Sequence, residues 1–78
     1  MEINYDVLNK MLAALIESND ISLMCKRELS EFIESRDINV FSEENLKQLS
    51  GIFMLSIKPA YEATTGKFIP NIFARLDW

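Results

Sequence analysis

The sequence has no histidine, one cysteine, two glycines and two prolines in 78 residues. Each scarcity excludes something. Without histidine, a hydrolytic triad lacks its usual base, and a Cys/His zinc site cannot be assembled within one chain. The single thiol, Cys25, cannot form an intramolecular disulfide. Gly51 and Gly66 stand alone and match no phosphate-cradling loop. No acidic stretch has the spacing of a calcium-binding loop. No apolar run approaches the ~20 residues of a membrane span. The opening "MEINYDVLNK" has neither a basic leader nor a small-residue cleavage site, so a signal peptide is not expected. With a lone cysteine, that makes the cytoplasm the expected compartment. A chain of this size also has little volume to spare for a substrate pocket. The expectation is a protein that is not an enzyme and takes no cofactor, metal or small-molecule substrate.

What is present is apolar and acidic. Hydrophobic residues make up 49% of the chain, high for a soluble domain. The length allows one small domain, residues 1–78. A domain this small buries only roughly 60% of the surface its unfolded chain exposes. With no staple of disulfide or metal, stability must come from dense packing, a protein partner or self-association, a homodimer included. Net charge is −4, and it is unevenly spread. Residues 1–50 hold ten acids against five bases; residues 51–78 hold Lys58, Lys67 and Arg75 against Glu62 and Asp77. An acidic body repels nucleic acid and anionic membrane at long range, so neither is an expected partner.

Helical spacing dominates the first fifty residues. In "NYDVLNKMLAALIES", Leu8, Met11, Leu12, Leu15 and Ile16 form one stripe, with Asn4 placed to cap and Asp6 in the first turn. In "ISLMCKRELSEFIESR", Cys25, Leu29, Phe32 and Ile33 share a face, with Asp20 as the expected cap. Cys25 therefore reads as a small core hydrophobe rather than a nucleophile. Ser42 precedes a third helix with Glu43 and Glu44 in its first turn, and Leu46, Leu49, Phe53 and Ile57 make its stripe.

The stretch "SGIFMLSIKPAYEATTGK" is harder. Continued as helix past Gly51, it becomes apolar nearly all round. Pro59 calls for a kink or stop, Gly66 for a left-handed helix end, and Pro70 for the start of a short last helix over 70–76, with Ile72, Phe73 and Leu76 inward. "IFMLSI" is also acceptable as a buried strand, with Thr64-Thr65-Gly66-Lys67 as a hairpin turn. The expected fold is all-α, a small bundle of four to five short helices. The alternative is α+β, three helices followed by a C-terminal β-hairpin.

"FSEENLKQLSGIFMLSIKPA" resembles the helix-turn-helix of small phage repressors. Gly51 matches the turn glycine, and Leu46, Ile52 and Ile57 the apolar positions. The following "TGKFIP" is similar to the glycine-basic-proline tail of that motif. The resemblance covers about 30 residues of the chain. It implies a second helix that presents Phe53, Met54, Leu55 and Lys58 to a groove. Lys47 departs from the small residue the motif wants, and Pro59 falls inside the would-be recognition helix. Apolar groove residues are also poor base readers.

The leading expectation is a non-catalytic protein-binding module that docks an apolar helical face on a partner protein. An accessory regulator, inhibitor, immunity protein or antitoxin fits that description. A small DNA-binding regulator of helix-turn-helix type is the alternative. Aromatics and methionine are enriched at interface centres, which selects Phe53, Met54, Leu55, Tyr61, Phe73 and Trp78 as partner-binding candidates.

Overall fold

A computed structural model describes residues 2–74 of the chain. The described residues are all-α, with no strand. Four α-helices occur: α1 (Tyr5–Glu17), α2 (Leu23–Ser35), α3 (Glu43–Ile52) and α4 (Lys58–Thr65). A 3-10 turn (Ile38–Val40) follows α2, and a π-helical turn (Phe53–Ile57) joins α3 to α4. The C-terminal hairpin is therefore not formed: residues 52–57 are helical, and Thr64 and Thr65 end α4. The chain divides into two compact units, Met1–Ser42 and Glu43–Trp78.

In the first unit, α1 packs on α2. Asn4 caps α1 as its spacing predicts, its Oδ1 accepting from the Val7 amide at 3.2 Å. The cap of α2 is Ser22 rather than Asp20, with Oγ accepting from the Cys25 amide at 3.1 Å. Either residue type caps well, and the helix simply begins two residues later. Leu8, Leu12 and Leu15 from α1 and Cys25, Leu29 and Phe32 from α2 are buried. Arg36 ends α2 with a left-handed φ of 57°, and its guanidinium lies over the Tyr5 ring, 3.8 Å from the centroid. The following turn brings Phe41 onto Phe32, with ring centroids 5.4 Å apart.

In the second unit, Pro59 neither stops the helix nor visibly breaks it. Proline lacks an amide hydrogen, and its ring crowds the carbonyl four residues back, here Leu55. The chain answers by widening one turn: the Lys58 amide donates to the Phe53 carbonyl, five residues back. The helix thus runs from Glu43 to Thr65 without interruption. Gly66 closes it at φ 70°, its amide donating to the Glu62 carbonyl. Residues 67–74 then form no helix, so the last helix expected from Pro70 is absent over the described residues, and Leu76 lies outside them.

Candidate functional site

The long helix of the second unit positions every described partner-binding candidate except Phe73. Its inward residues, Leu46, Leu49, Phe53, Ile57 and Tyr61, are buried. Phe73 is also fully buried, and its ring meets Phe53 edge-on at 5.7 Å between centroids. Phe53, Tyr61 and Phe73 are therefore core residues in this fold. Their aromatic rings satisfy the unit's own interior, which a single helix could not fill alone. Trp78 lies outside the described residues.

Met54 and Leu55 point the other way. Leu55 is 84% exposed and Met54 49%. Residues 52–57 thus divide between buried Phe53 and Ile57 and exposed Met54 and Leu55. Gly51, Pro59, Ala60 and Ala63 are exposed on the same helix. No exposed residue between Lys47 and Lys67 carries a charge. The two ionisable groups in that interval, Lys58 and Glu62, are half-buried and bonded to each other at 2.7 Å.

That ion pair belongs to a clasp. Lys58 Nζ also donates to the Ile69 carbonyl and lies 3.8 Å from the Phe68 ring centroid. Glu62 Oε2 accepts from the Ile69 amide at 3.0 Å. The hydrogen bond from Lys58, then the Ile69 amide, hold the Glu62 carboxyl below its ordinary range. Further along, Asn71 Nδ2 donates to Ser50 at both Oγ (2.9 Å) and the carbonyl (3.2 Å), while Asn71 Oδ1 accepts from the Phe73 amide. The returning segment is thereby fastened to its helix at two levels. The charge that sequence pattern would assign to the helix surface is spent on this fastening, and an uncharged apolar strip remains. Sequence reasoning missed the clasp because its bonds join residues up to 21 positions apart.

The other chemistries have little here. Cys25 is fully buried, and burial followed by the nearby Glu28 carboxylate pushes its thiol up to about 11. Among the described residues, no group of three His, Cys, Asp or Glu side chains is placed to hold a metal. A shallow groove in the first unit is lined by Glu31, Glu34, Ser35 and Val40, and the Ser35 hydroxyl there donates to the Glu31 carbonyl at 2.8 Å. No described helix is long and apolar enough to cross a membrane. Gly51, the turn of the helix-turn-helix alignment, lies inside α3 with the helix continuous on both sides. No protein-family model matches the sequence, no curated protein matches it, and no solved structure matches the fold.

Proposed function

We propose that the chain is a non-catalytic protein-binding module that docks through the outward face of the long helix, centred on Met54 and Leu55. The observation that carries this reading is Leu55, a large aliphatic residue 84% exposed within an uncharged strip of ordered helix. Single exposed apolar residues are ordinary on protein surfaces. An exposed apolar pair with several turns of uncharged neighbours is the kind of patch that marks an interaction site. A π-helical turn at the same place adds support, because such turns concentrate at functional positions. The mode of action is steric: an accessory regulator or inhibitor that occupies a partner's surface and blocks or recruits it.

Binding experiments with the wild-type chain and the Leu55→Glu variant test this. Proteins retained by the wild type are purified and titrated against both forms. A partner whose affinity falls at least about tenfold with Leu55→Glu, and is unchanged by Leu23→Glu in the first unit, supports the reading; tenfold corresponds to about 1.4 kcal/mol. Retention of the same proteins with equal affinity by Leu55→Glu overturns it.

A further inference from the structure

We draw no further inference here: the strongest candidate, the uncharged outward strip of the long helix around Met54 and Leu55, is an apolar face with nothing in the structure to show what covers it.

Discussion

The two units hold their helices by different means. In Met1–Ser42, side chains tie down the chain mostly over short distances. Asn4, Ser18, Ser22, Ser35 and Asp37 each bond to backbone no more than four residues away. Glu28 reaches further, its Oε1 accepting from the Ser42 amide. In Glu43–Trp78, local bonds also occur, as where Thr65 Oγ1 donates to the Tyr61 carbonyl and accepts from the Lys67 amide. The returning segment is in addition tied to the helix by Asn71 to Ser50 and by Ile69 to Lys58 and Glu62. Local fastening is cheap in chain entropy, since no long loop must close first. Distant fastening frees the outward helix face from any structural duty, and that face carries Leu55.

The largest test of the contrast is in the second unit's core. Phe53 is fully buried against Phe73, and its carbonyl takes the π-turn bond from Lys58. Phe53→Ala should cost about 3–5 kcal/mol in denaturant unfolding. Leu55→Ala, two residues on and exposed, should cost less than about 0.5 kcal/mol. Equal losses at the two positions would remove the distinction between core and docking face.

The first unit has its own chemical test. Cys25 is buried as a neutral thiol with its pKa pushed up to about 11. In the unfolded chain a thiol ionises near its ordinary value of about 8.5. The folded state thus retains a proton that the unfolded state loses. The contribution is fully present below the unfolded value and declines as pH rises through the folded one. As pH rises towards 11, wild-type stability should fall steadily relative to Cys25→Ala. Parallel curves for the two proteins would show a thiol open to solvent.

The legibility of the sequence follows the same division. The apolar stripes of α1 and α2, the cap at Asn4 and the left-handed end at Gly66 depend on residues within one turn of each other, and pattern reading reaches them. The cap of α2 was two residues off because Asp20 and Ser22 are both competent. Pro59 misled in a specific way: proline's missing donor is a local fact, but its cure, a five-residue bond at Lys58, is one of several open to the chain. Of the partner-binding candidates, Met54 and Leu55 are outward while Phe53, Tyr61 and Phe73 are inward. Aromatic composition cannot separate those groups, because both cores and interfaces favour it. The separation depends on residues 67–74 returning to the helix, and no period in the sequence encodes that.

Paired substitutions sharpen the difference between near and distant bonds. Asn71→Ala removes both bonds to Ser50 and one to the Phe73 amide, and should cost about 1–2 kcal/mol. Ser22→Ala removes one cap and should cost about 1 kcal/mol. Amide exchange distinguishes them further. Asn71→Ala should speed exchange at Phe73, while Ser22→Ala should act only on the first turn of α2.

The smallest expected effect lies at the clasp, where the Lys58–Glu62 pair is partly exposed and screened by salt. Glu62 has its carboxyl held low by Lys58 and the Ile69 amide. A carboxyl depressed in the folded state contributes stability above its unfolded value, near 4.3, and loses it as pH falls through the folded value. Acid should therefore loosen the clasp below about pH 4. The Ile69 amide should exchange faster there, after correction for the intrinsic pH dependence of exchange. Glu62→Gln keeps an acceptor for that amide but has nothing to titrate, so its Ile69 protection should be lower at pH 7 and flat across the acid range. A wild-type protection curve equally flat between pH 3 and 7 would mean that Lys58 and the backbone hold the segment without the carboxylate. In that case the uncharged strip would owe nothing to the pairing of Glu62, and its lack of charge would have to be explained by the docking surface alone.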